Sequence, residues 1–196
     1  MASIINASTS GVGGVITTAD NSGDLNIQSG GSTKIAVTSA GANIVGTLTV
    51  NGVAPASGKV LQVVSAYYSG STSNASATYA DTGLTATITP TSSTSKILVL
   101  VNQAGVGKSN VNAGSGVNIK LLRNSTDLIT FAIYASWTNS ALWNVVGTQS
   151  TSYLDSPATT SAITYKTQFS NPAAANFAYV QNQGDTSTIT LMEIAQ

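Results

Sequence analysis

The chain has no cysteine and no histidine among its 196 residues, and only 7% of them are charged. The first absence removes disulfides and thiolate metal sites. The second removes Ser-His-Asp and Cys-His nucleophilic systems, imidazole acid–base work and the usual zinc sites. Charged residues make up roughly a quarter of an ordinary soluble protein. Here Ser, Thr and Asn must solvate the surface with hydroxyls and amides instead. Lys plus Arg number 7 and Asp plus Glu number 7, and no basic cluster occurs. That counts against nucleic acid, because neutralising phosphates needs several cations on one face. No apolar run approaches the ~20 residues of a membrane-spanning helix, so no membrane insertion is expected. The start, Met1-Ala2-Ser3-Ile4-Ile5, lacks the charged and apolar regions of a secretory signal, which predicts retention in a cytoplasm until assembly.

What the chain does have is a usable apolar fraction, 42%, rich in β-branched residues. Low charge with that fraction argues against a charge-driven disordered chain, and Thr, Val and Ile favour strands. The reading is all-β, with no convincing helix. Its most telling stretch is residues 23–52, GDLNIQSGGSTKIAVTSAGANIVGTLTVNG. Here very short apolar runs are each closed by Gly, Ser or Asn: Leu25 and Ile27, Ile35 and Val37, Ile44 and Val45, Leu48 and Val50. Most are two residues apart, the spacing that places them on one face of a strand. Strands this short cannot bury that face in one copy, so the stretch must lie against copies of itself or a larger assembly.

Four segments follow from these patterns. Residues 1–22 are small-residue-rich, with apolar pairs Ile4-Ile5 and Val15-Ile16 that make them a candidate docking peptide. Residues 23–52 form a short β-shaft, in which Leu25, Ile27, Ile35, Val37, Ile44, Leu48 and Val50 would meet between chains. Residues 53–58, around Pro55, are a linker. Residues 59–196 carry longer strands, read at 59–68, 79–88, 95–102, 116–123, 128–137, 142–146, 162–169, 177–181 and 187–195. Leu84, Ala86 and Ile88 alternate strictly with threonines, and the alternation recurs at Val117, Ile119 and Leu121 and from Ile163 to Phe169. Eight or nine strands of this kind suit a jelly-roll-like two-sheet sandwich. The last strand is apolar on both faces, which makes Leu191, Met192 and Ile194 candidates for a subunit interface.

Few residues suggest chemistry. Ala104-Gly105-Val106-Gly107-Lys108-Ser109 looks like a phosphate-binding loop, but the pattern needs a glycine where Asn102 stands. It also needs a helix after Lys-Ser, and turn sequence follows, so a strand-connecting loop is the better reading. The acids are scattered through turns, where Asx-turn and capping duty explains them. Asp20 to Asp24 lacks the length and terminal Glu of a calcium loop. No metal site, cofactor or catalytic residue is assigned. Trp137, Trp143, Tyr134 and Tyr153 fall close together in sequence. Trp137, Trp143 and Tyr153 are candidates for stacking on a sugar, while packing in a core or subunit interface is the simpler use of such rings.

The runs from Leu25 to Ile35 and from Gly46 to Gly52 resemble the shaft repeats of tailed-bacteriophage fibre and other virion proteins. The blocks Gly58 to Val64, Pro90 to Val101, Leu154-Asp155-Ser156-Pro157 and Ile189 to Ile194 resemble the head domain that follows such shafts. The resemblance implies a homotrimer with a β-shaft and a β-sandwich head, displayed on a virion made in the host cytoplasm. Its function would be a non-enzymatic short fibre, on tail or head, held by other virion proteins and touching the host surface. Two alternatives stand beside it: a capsid decoration protein that stabilises the shell, and a carbohydrate-binding adhesin that recognises a host glycan.

Overall fold

Short apolar pairs punctuated by glycine build the first sheet. The structure, a computed structural model, describes residues 25–39, 41–45, 58–110, 114–174 and 177–196. The chain forms two compact units, Met1–Pro55 and Ala56–Gln196. In the first, β1 (Leu25–Ser29), β2 (Ser32–Thr38) and β3 (Gly41–Ile44) make an antiparallel three-stranded meander. Gly30 and Gly31, at φ 59° and 75°, supply the left-handed pair that a tight two-residue hairpin needs. The register sets Ile27 opposite Ile35 and Ile35 opposite Ile44, so the apolar residues form one row across the three strands.

The second unit holds β4 (Val60–Tyr68), β5 (Thr72–Asn74), β6 (Ala80–Ile88), β7 (Lys96–Lys108), β8 (Val117–Arg123), β9 (Thr126–Ala135), β10 (Asn144–Asp155), β11 (Ile163–Ser170), β12 (Ala178–Val180) and β13 (Ser187–Ile194). A 3-10 turn, Asn182–Gly184, separates the last two. One sheet contains β4-β13-β7-β10 and the facing sheet β6-β11-β8-β9, all antiparallel. Without the two short strands, these orders are first-eighth-third-sixth and second-seventh-fourth-fifth along the chain. That is the double Greek key of a jelly roll. Short β5 and β12 pair with each other and extend the line of β4 and β13 past Asn102 of β7.

Two expected segments differ. Residues 104–108, read as a loop, continue β7, because β10 pairs with Gly107 on one side and β12 on the other. Glycine serves close packing here: a Cβ on Gly107 would sit 2.9 Å from the Asn144 carbonyl, and one on Gly105 would collide with the Asn182 backbone. β10 runs to Asp155, well past the expected Val146. Between Gly147 and Tyr153 its exposed positions are Thr148, Ser150 and Ser152, which show no apolar alternation, and its partner β7 supplies the pairing.

The core fills the space between the sheets in two apolar clusters. Leu84, Ile88, Val99, Leu121, Tyr165 and Leu191 belong to the larger, and Val106, Ile119, Phe169 and Val180 to the smaller. Between them along the strands lies a fully buried polar layer of Thr82, Gln103, Thr167, Gln181 and Ser187. Thr167 Oγ1 donates to Gln103 Oε1 at 2.8 Å and lies 2.6 Å from Thr82 Oγ1. The amides of Gln103 and Gln181 both donate to Ser187 Oγ at 3.0 Å. The chain thus bridges one sheet to the other. At the far end, buried Asp155 accepts from Arg123 Nη1 at 2.9 Å and from the Tyr165 hydroxyl at 2.6 Å. Burial and that bond push the Tyr165 pKa up, so it remains a donor.

Candidate functional site: the charge-free loop end

Four loops gather at one end of the sandwich because the register brings their strands' ends together. Lys108 ends β7 opposite Asn144 and Ala178, Ala178 lies opposite Asn74, and Val117 opposite Ala135. Backbone hydrogen bonds then join loop to loop: Ser109 N to Phe177 O at 3.0 Å, Gly114 N to Thr138 O at 2.9 Å, and Asn171 N to Ser76 O at 2.9 Å. Gly58, where the chain enters the sandwich, bonds to Ala195 beyond the opposite end of β13. The sequences 69–79, 109–116, 136–143 and 171–177 contain no Asp, Glu, Lys or Arg.

The β9–β10 loop is built from below. The Lys108 side chain is fully buried and its Nζ donates to the Ser140 carbonyl at 3.1 Å. Thr138 Oγ1 and Leu142 N donate to the same oxygen, at 2.8 and 2.9 Å. Asn144 Nδ2 holds the Ser136 carbonyl at 2.9 Å. Burial lowers the Lys108 pKa, as expected for an ammonium group taken out of water.

On this frame Trp143 packs against Tyr179, ring centroids 5.0 Å apart and planes tilted by 38°, and Phe177 flanks Tyr179 at 6.1 Å. Trp143 and Phe177 remain 45% and 47% exposed. Of the expected aromatic residues, Trp143 belongs to this group. Tyr153 does not: it sits opposite Val99, well along β10, and packs partly buried against the larger core cluster. Trp137 is exposed, and its amide bonds to the Tyr134 carbonyl at 3.1 Å within its own turn. Phe177 and Tyr179 were missed, although their alternation with buried Ala178 and Val180 places them outward.

A second exposed feature is the outer face of the β4-β13-β7-β10 sheet. Val63 lies opposite Met192, Met192 opposite Leu98, and Leu98 opposite Leu154, an apolar row across four strands. Val63 and Leu154 are 55% and 52% exposed, with Leu61, Tyr67 and Leu100 exposed beside them. Met192 and Ile194 share this face, whereas Leu191 points inward and is fully buried in the core. Leu191 is therefore not available to another subunit, because successive strand residues face opposite ways. In the first unit Ile27, Val37 and Ile44 are 49%, 39% and 37% exposed, and Ile35 is half-buried. Ile4, Ile5, Val15, Ile16, Leu48 and Val50 lie outside the described residues.

Among the described residues no group of three or more His, Cys, Asp or Glu could hold a metal ion, and no helix is long and apolar enough to cross a membrane. No protein-family profile matches the sequence, and no curated protein matches it. In three dimensions the chain is similar to VP2 of infectious bursal disease virus in its subviral particle. That match has 11% sequence identity and a TM-score of 0.45, over 73% of this chain and 35% of that one. This chain thus spans about a third of that viral protein's length, and likeness at this level assigns it no function.

Proposed function

We propose that the chain is a non-enzymatic structural protein of a virus particle, a homotrimeric short fibre of a tailed bacteriophage borne on tail or head. The observation that carries the reading is the apolar row Val63–Met192–Leu98–Leu154 on an outer sheet face. A folded monomer rarely exposes a contiguous apolar band of this kind without a partner. Burying a Leu, Val or Met completely is worth about 1.5–3 kcal/mol. Half-exposed residues gain about 1 kcal/mol each, against an association cost of roughly 4–15 kcal/mol. The row must therefore act with exposed neighbours such as Leu61 and Leu100. Homo-oligomers close such surfaces by symmetry. The acids support a structural rather than catalytic use: Asp155 is tied to Arg123 and Tyr165, Asp127 to Lys120, and Asp81 to Lys166.

Sedimentation of the full chain tests the assembly, with a trimer expected. Met192→Asp places a charge in the middle of the row and should release folded monomers, whereas Leu191→Asp should unfold the sandwich. A wild-type monomer sinks the proposal. Immunogold labelling of purified particles tests location: a few sites at the tail indicate a tail fibre, sparse sites on the head a head fibre. Hundreds over the shell would replace the fibre reading with decoration, and none would remove the virion role.

A further inference from the structure

We propose that the Trp143–Tyr179–Phe177 platform is a binding site for neutral sugar rings. The inference goes beyond the structural role and stands whether or not the chain is found on particles.

Three observations carry it. The first is ring presentation. Trp143 and Phe177 each pack against Tyr179, tilted by 38° and 37°, and each is about half open to solvent. One side of a pyranose is a patch of C–H groups that covers such a ring, while its hydroxyls point to the sides and seek hydrogen bonds. Exposed Asn110, Asn139 and Ser140 supply amides and a hydroxyl on the same loop end.

The second is charge. The four loops contain no acid or base. Lys108 beneath them is fully buried and bonded to the Ser140 carbonyl, and Lys120, whose Nζ lies 4.3 Å from the centre of the Tyr79 ring, is paired with Asp127. A phosphate, sulfate or carboxylate ligand would lose hydration here without gaining a counter-charge, which is costly. A neutral polyol loses nothing of the kind. The platform thus selects uncharged sugars over sialylated or uronic glycans and over nucleic acid.

The third is size and stiffness. An aromatic side chain has about 150–250 Å² to bury, so the exposed parts of these three rings amount to about 250 Å². That is well short of the ~800 Å² per partner of a stable protein interface, yet enough for one or two sugar rings. The carrying loop is also held before any ligand arrives, since Lys108 Nζ, Thr138 Oγ1 and Leu142 N all converge on the Ser140 carbonyl. A site held this way loses little freedom on binding.

The test uses the full chain. It is screened on an array of neutral oligosaccharides of glucose, galactose, mannose, rhamnose and N-acetylglucosamine, with sialylated and uronic glycans as charged counterparts. The strongest hit is then titrated calorimetrically as a soluble, monovalent oligosaccharide. Saturable binding of a neutral glycan is expected. Trp143→Ala should weaken it by about tenfold or more, the loss typical of an aromatic anchor, and Trp143→Phe should restore part of it. Because Trp143 is half exposed, each variant should melt near the wild-type temperature. Tyr179→Ala provides a second variant should Trp143→Ala misfold. The proposal is overturned if no neutral glycan binds at millimolar concentration, if only charged glycans bind, or if affinity survives both Trp143→Ala and Tyr179→Ala.

Discussion

Replacing Thr167 by Val tests whether the buried polar layer couples the two sheets. The substitution nearly conserves volume, so no cavity opens and the effect is confined to hydrogen bonding. Thr167 Oγ1 is fully buried, donates to Gln103 Oε1 at 2.8 Å and lies 2.6 Å from Thr82 Oγ1. Its removal leaves Gln103 Oε1 without that donor in the core, at a cost of about 1–3 kcal/mol. Thr82 loses one partner but keeps the Leu84 amide, which donates to it at 3.1 Å, so about 1 kcal/mol is lost there. The added methyl returns roughly 0.8 kcal/mol. The net expectation is about 2 kcal/mol of destabilisation, read as a lower urea midpoint at fixed protein concentration with an unchanged slope. Because the penalty comes from an orphaned partner, Thr82→Val combined with Thr167→Val should cost less than the sum of the two. Adding Gln103→Leu should recover part of the loss. A single-site cost below about 0.5 kcal/mol, or strict additivity across the cycle, would refute the coupling.

Other consequences are checked as directly. Glu193 is buried; burial pushes its pKa up, but hydrogen bonds from Gln62 Nε2 at 2.6 Å and from the Thr91 amide and hydroxyl at 2.8 Å overcome this and bring it to about 2. The folded value lies below the ordinary 4.5, so its stabilisation is complete above that pH and is lost as pH falls toward 2. Thermal melts across this window should show the decline, and Glu193→Gln should flatten it; an equally steep decline in the variant would be the contrary result. Gly105 adopts φ 59° and a Cβ there would meet the Asn182 backbone. Gly105→Ala should therefore lower stability by about 2 kcal/mol or more, measurable by chemical unfolding, and a neutral outcome would mean that the Gln181–Gly184 excursion readily moves. Met192→Asp and Leu191→Asp, one position apart, should separate dissociation from unfolding when sedimentation is paired with circular dichroism.

Much of the architecture was legible because it rests on period-two alternation. Leu84, Ala86 and Ile88 against Thr85 and Thr87 identify a half-buried strand, and the structure buries the first three and exposes the threonines. Where side chains are small and polar on the outer face, that signal fails. Ser150 and Ser152 hide the alternation, so the second half of β10 fell outside the expected strands, and Gly105 and Gly107 made the end of β7 read as a loop. The platform was half legible: Trp143 stood out in the aromatic cluster between Tyr134 and Tyr153, but its partners Tyr179 and Phe177 lie more than thirty positions along the chain. Only the pairing of Gly107 with both Val145 and Tyr179 brings them beside it.

By itself the sequence determined an all-β chain without thiol or imidazole chemistry, with scarce charge and many β-branched residues. These are local and compositional properties, carried by residue type and spacing. The tertiary structure decided which face each residue takes and which distant residues meet. Met192 lies outward and Leu191 inward because β13 is gripped between β4 and β7 in one register. Lys108 lies beneath the β9–β10 loop because strand order, a non-local property, puts Asn144 beside it.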